Sequence, residues 1–194
     1  MKPNKVDLIS DEMSAKIIET VEMLVTSYGA EELNVRRILK ELDITNRVFY
    51  NRFHNINEVL EIVYRNTIIK IRETMPKNFD VSSKEEFFER VMDIIVHSLT
   101  SSYDHKMQFN QYVFKRDSIS ESNSRWWCGE IKKLIDYAME KGYIKKVDSE
   151  VLSYSIWCFI RGYNADAVGR NLPKEEAVEN FKYSFGFLMD GLKL

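Results

Sequence analysis

Between Asn34 and Arg52 the chain gathers side chains that can hold a nucleic acid: Asn34, Arg37, Thr45, Asn46, Arg47, Tyr50, Asn51 and Arg52. Arg can donate two hydrogen bonds to guanine O6 and N7, and Asn can pair with an adenine edge, which makes Asn46, Arg47 and Asn51 the candidates for base reading. Asn34 and Thr45 at helix starts, with the side chains of Arg37, Tyr50 and Arg52, are the candidates for phosphate contacts, which position without specifying. Singly, a capping Asn or Thr or a surface Arg is an ordinary feature. Crowded onto one short helix after a tight turn, these residues form the pattern of a helix-turn-helix DNA reader.

Such a reader needs an anchored helix pair. Asn34 is a plausible N-cap for a helix running to about Leu42, with Val35, Ile38, Leu39 and Leu42 on its inner face. Thr45 then caps a short helix from Asn46 to Phe53, and Asp43-Ile44 between the two is room only for a sharp turn. Phe49 and Phe53, four apart, point inward with Ile44 and leave Asn46, Arg47, Val48, Tyr50 and Asn51 around the outer face. An earlier helix over Met13–Tyr28 has apolar residues at Ile17, Val21, Leu24 and Val25 and is closed by Gly29. A fourth opens at Asn55 with Glu58 in the reciprocal capping position and runs to about Glu73.

These residues resemble the N-terminal domain of the TetR family of bacterial transcriptional regulators, over about Met13 to Arg72. The resemblance rests on the Tyr28-Gly29 ending of the first helix and on Val35 with Ile38 in the second. It also rests on the Ile44-Thr45 turn, the Phe49-Tyr50-x-x-Phe53 core, and Glu58-Val59-Leu60 opening the fourth helix. It implies that Tyr50 and Arg52 touch phosphates and that residues 45 to 51 read an operator. Two positions depart from the family's pattern: Asp43 stands where Gly is common, and Ile56 where a Lys usually opens the fourth helix. Asp tolerates the left-handed region better than most residues, so the turn survives at modest cost.

The chain has 194 residues, 44% hydrophobic and 12% aromatic, enough for a buried core. With only 7 Gly and 3 Pro, turn signals are too few for a many-stranded sheet, so the fold class expected is all-α. Net charge is −2, yet from Asn34 to Arg72 the balance is +4, leaving −6 on the rest. A basic module on an acidic body can still hold phosphates, because charges are screened beyond ~8 Å at physiological salt. Pro76-Lys77-Asn78 stops the fourth helix, which divides the chain into a helix-turn-helix domain over 1–75 and a helical domain over 76–194. Further helices are expected over Lys84–Ser102, Met107–Phe114, Ser122–Lys141, Ser149–Arg170 and Pro173–Leu192.

In the last of these, Val178, Phe181, Phe185, Leu188 and Leu192 fall at 3-4-3-4 spacing, while Ser155, Gly162 and Gly169 place small residues seven apart on the helix before it. An internal core seam and a dimer interface both fit that spacing. The resemblance implies the homodimer, with Gly162, Gly169, Phe181, Phe185 and Leu188 at its interface. It also implies a small-molecule effector in the C-terminal domain, whose aromatic region includes Phe87, Phe88, Met92, Met107, Phe109, Tyr112, Phe114, Trp126, Trp127, Tyr137 and Met139. Most of these read as plain core, and none is singled out as a ligand contact.

No cofactor, metal site or catalytic residue is read from the sequence: His54, His97 and His105 form no HExxH motif, and no Gly-rich phosphate loop exists. Cys128 and Cys158 lack metal-binding spacing and fit a reduced setting; with no long apolar run near the N-terminus, a cytoplasmic protein without membrane association is expected. The expectation is a homodimeric regulator, not an enzyme, that binds a double-stranded palindromic operator and responds to an effector, as a repressor. The rivals are a helical protein-interaction module without specific DNA binding and a helical enzyme using the aromatic region, which lacks a recognisable acid–base pair.

Overall fold

The computed structural model describes residues 8–73, 75, 79–103 and 107–194, without the side chains of Met107 and Gln108. The Pro76-Lys77-Asn78 stop, His105, the Met107 side chain and the residues up to Asp7 lie outside the described residues. The elements among the described residues are helices: α1 (Glu12–Tyr28), α2 (Val35–Leu42), α3 (Asn46–Tyr50), α4 (Ile56–Glu73), α5 (Lys84–Tyr103), α6 (Met107–Asp117), α7 (Glu121–Glu140), α8 (Ser149–Gly169) and α9 (Lys174–Leu192). The all-α reading holds. The chain divides into two compact units, one up to residue 74 and one from 75 onward. Among the described residues, no helix is long and apolar enough to cross a membrane.

In the first unit α1 packs on α2 and α4. Ile17, Val21, Leu24 and Val25 of α1 are buried, as are Ile38, Phe49, Phe53, Val59, Leu60, Val63, Tyr64 and Ile68 of the same unit. Each such large apolar side chain contributes roughly 1.5–3 kcal/mol when taken fully from water. The helix ends follow from local chemistry. Asp11 caps α1, accepting from the Ser14 N–H at 2.9 Å, while Ser14 Oγ accepts from the Asp11 N–H at 3.2 Å. Gly29, at φ 86°, closes that helix through a bond from its N–H to the Val25 carbonyl. At α4, Asn55 Oδ1 accepts from the Glu58 N–H as the capping pattern predicts. The Glu58 carboxylate returns to the His54 N–H at 2.8 Å, one residue earlier than expected.

In the second unit α8 packs on α5, α6 and α7, and α9 on α5. Its core is aromatic: Phe87, Phe88, Phe181 and Phe185 are buried, with Phe79, Tyr137, Tyr143, Phe159 and Tyr163 packed against them. Pro173 flanks α9 at φ −55° and ψ 136° instead of entering its first turn, and α9 begins at Lys174.

The structure corrects the interface expected on α9. Phe181 and Phe185 are 0% and 1% exposed; their rings lie 5.8 Å and 5.9 Å from that of Phe159 and 5.4 Å from each other. Both are held inside their own chain, so neither is available to a second subunit. Leu188 is half-buried and packs against the same core. The 3-4-3-4 spacing marks the face that α9 turns toward its own core.

Candidate nucleic-acid interface

The α2–α3 turn is built by Asp43, whose φ of 50° and ψ of 47° place it in the left-handed region. An L-residue adopts this region at some cost, which a short polar side chain reduces. The turn is closed by the Ile44 N–H donating to the Leu39 carbonyl at 3.0 Å. Asn34 caps α2 in extended conformation, its Oδ1 accepting from the Arg37 N–H at 3.0 Å. Thr45 is the matching residue of α3, but its side chain makes no capping bond, so the hydroxyl remains available to an outside partner.

The reader is shorter than the sequence predicts. Helix α3 ends at Tyr50, and Asn51 is its C-cap; the Arg52 and Phe53 N–H groups both donate to the Phe49 carbonyl, tightening the chain into a turn. Phe49 is fully buried and Phe53 nearly so, their rings 5.8 Å apart, and Ile44 is half-buried. This anchoring leaves Thr45, Asn46, Arg47 and Tyr50 exposed and Asn51 half-buried. Arg36 and Lys40 are exposed on α2. Arg37 is fixed differently: its guanidinium lies 3.7 Å above the centre of the Tyr28 ring, a cation–π contact that holds the charge at the end of α1.

Arg52, expected as a phosphate holder, is engaged within its own chain. Its Nε donates to Asp11 Oδ1 at 2.8 Å, Nη2 donates to Asp11 Oδ2, and Nη1 donates to the Val48 carbonyl at 2.8 Å. The side chain is 13% exposed, and the fork is turned inward onto the start of α1. The Arg52 hydrogen bonds, aided by the Ser14 N–H, hold the Asp11 carboxyl far below the usual carboxylate range, and the same contact raises the Arg52 pKa. Sequence reasoning missed Asp11. The Asp11-x-x-Ser14 spacing signals a helix cap, but nothing in the sequence links it to a residue 41 positions away.

In the second unit, Gly162 and Gly169 are exposed on α8 with open space beside both. Ser155, Val151 and Tyr154 are exposed on the same helix. On α9 the outward aromatic pair is Tyr183 and Phe187, 72% and 64% exposed with ring centres 5.0 Å apart. In the aromatic region expected to enclose a ligand, the Phe87 ring contacts those of Phe79, Phe88, Tyr137 and Tyr143. In the second unit the Tyr103 and Tyr137 hydroxyls and Asn164 Oδ1 are buried without hydrogen-bond partners. A groove of about 450 Å³, open to solvent, is lined by Thr100 of α5 and by Lys174, Glu175, Val178, Glu179 and Lys182 of α9, and by none of those aromatics. Among the described residues, no group of His, Cys, Asp and Glu could hold a metal ion.

No protein-family model matches the chain, and no curated protein matches it in sequence. Solved structures do. A TetR-family transcriptional regulator from Pectobacterium atrosepticum superposes with a TM-score of 0.69 at 15% identity, covering 94% of this chain and 95% of that one. A putative TetR-family regulator from Syntrophomonas wolfei gives 0.66 at 17% identity, over 94% and 97%. The reduced form of Escherichia coli NemR gives 0.61 at 15% identity, over 89% and 97%. The helices from α1 to α9 thus follow one another in the fold of the TetR-family transcriptional regulators.

Proposed function

We propose that this chain is a sequence-specific DNA-binding transcriptional regulator that grips a palindromic operator as a homodimer. The observation that carries the reading is the surface of α3. Asn46, Arg47 and Tyr50 stand exposed on a helix whose other side is pinned by the fully buried Phe49. Asn46 and Arg47 are the base readers in this arrangement, with Asn51 at the helix end. Asn34, Arg37, Thr45 and Tyr50 hold phosphates, and Arg52 supports them from behind.

The homodimer is supported by the outer faces of α8 and α9. Gly162 and Gly169 allow close approach of a second helix, and Tyr183 with Phe187 presents aromatic surface that a second copy would cover. Two readers related by a two-fold axis then meet successive major grooves. The same reading makes the protein a repressor relieved by a small-molecule effector in the second unit. The unpartnered polar atoms of Tyr103, Tyr137 and Asn164 support a ligand there, because each is costly to leave unsatisfied in an apolar core.

The test is Arg47→Ala, assayed on a duplex recovered by the wild-type chain from random-sequence DNA and on an unrelated duplex of equal length. Loss of a bidentate base contact removes about 1–3 kcal/mol of preference between the two. A protein-interaction module would show no preference to lose, and an unchanged preference in Arg47→Ala would remove that residue from base reading.

A further inference from the structure

The reader helix is too short to hold its own shape. Helix α3 spans only Asn46–Tyr50 and lacks a side-chain bond at its N-cap, and a helix of this length has no stability of its own in water. Phe49 and Phe53 fix its depth, but a single buried stripe leaves the helix free to roll and slide. What fixes its far end comes from the other side of the sequence. The Ile9 N–H donates to the Asn51 carbonyl at 2.9 Å, and Ser14 Oγ donates to the Ile9 carbonyl at 2.9 Å. Asp11 takes both arms of the Arg52 fork while Arg52 Nη1 satisfies the Val48 carbonyl. That carbonyl is among those a helix end leaves without an internal partner.

We propose that Asp11 is a positioning residue for DNA recognition: acting through Arg52, it sets the orientation of α3 so that Asn46, Arg47 and Asn51 meet base edges in register. The inference rests on the DNA-reading function proposed above. Asp11 touches no DNA in this arrangement. Arg52, which as a free side chain would add one more phosphate contact, works as the link. A bidentate Arg–carboxylate pair suits this task, because its two parallel bonds fix a plane and a direction where a single ammonium contact would fix only a distance.

Asp11→Asn isolates the clasp from the cap. Asn is as good an N-cap as Asp, so α1 keeps its start, but the charged fork partner is gone. The probes are the duplex recovered from random-sequence DNA by the wild-type chain and an unrelated duplex of equal length. Asp11→Asn, Arg52→Gln and Arg52→Lys should each lower the ratio of the two affinities by about tenfold, the size of one misplaced base contact. The Asp11→Asn/Arg52→Gln double variant should lose no more than either single one. Val21→Ala, which thins the α1 core, should lower stability while leaving the ratio unchanged, because a smaller folded fraction weakens binding to both duplexes equally.

Two results would overturn the proposal. One is an unchanged ratio in Asp11→Asn and Arg52→Gln while Arg47→Ala loses it. The other is tighter binding of Asp11→Asn to both duplexes, which would make Arg52 a phosphate holder restrained by Asp11. If the wild-type chain selects no duplex at all, the DNA-reading function fails first and the clasp's role falls with it.

Discussion

The α2–α3 segment and the α8–α9 pair both bury an aromatic stripe, but they expose opposite chemistry. Behind α3 lies Phe49, and in front of it stand Asn46, Arg47 and Tyr50, groups that exchange hydrogen bonds with water until a polar partner replaces it. Behind α9 lie Phe181 and Phe185, and in front of it stand Tyr183 and Phe187, which gain most from an apolar partner. The first surface suits a charged, hydrated ligand bound and released in a salt-dependent way. The second suits a long-lived contact with another protein surface. An amphipathic helix is thus defined functionally by what its outer face carries, and the inner period alone does not distinguish the two cases.

The largest effect that would break this comparison comes from moving a charge between the two faces of α9. Phe185→Asp buries an unpaired carboxylate in the aromatic core and should destabilise the second unit by more than about 4 kcal/mol, seen as a loss of cooperative urea unfolding. Phe187→Asp, two residues on, should leave that transition in place and instead shift the protein from dimer to monomer in sedimentation. If Phe185→Asp remains folded and Phe187→Asp remains dimeric, the assignment of inner and outer faces is wrong.

A smaller effect sharpens the reader side. Asn34 makes a capping bond and Thr45 makes none. Asn34→Ala should therefore cost about 1 kcal/mol of stability. Thr45→Ala should cost less than about 0.5 kcal/mol, as an exposed residue without such a bond does. If the Thr45 hydroxyl contacts phosphate as proposed, Thr45→Ala should still show a loss in DNA affinity. Equal stability losses in the two variants would mean that Thr45 caps α3 in solution.

Much of this was legible because it is local. The Asn34 cap, the Asp43-Ile44 turn and the Phe49–Phe53 anchor are set by neighbours within five residues, where sequence spacing reports geometry directly. The extent of α3 was not: the chain tightens after Tyr50, where Asn51 and Arg52 bond to the segment before α1, contacts across 42 and 41 positions that no periodicity records. The pairing of Arg52 was hidden for the same reason, since an Arg beside a recognition helix looks free until its carboxylate partner is found. The α9 seam was misread for a different one. An interface and a core select the same apolar residues at the same period, and only the packing of Phe159 against Phe181 and Phe185 tells them apart.

The most direct test of the central claim is the affinity of the wild-type chain for its selected duplex as salt is raised. If α3 and its flanks grip a phosphate backbone, affinity should fall by about tenfold or more between about 50 and about 200 mM salt, with the unrelated duplex weaker throughout. Affinity that does not change with salt, or that is the same for both duplexes, would contradict the account.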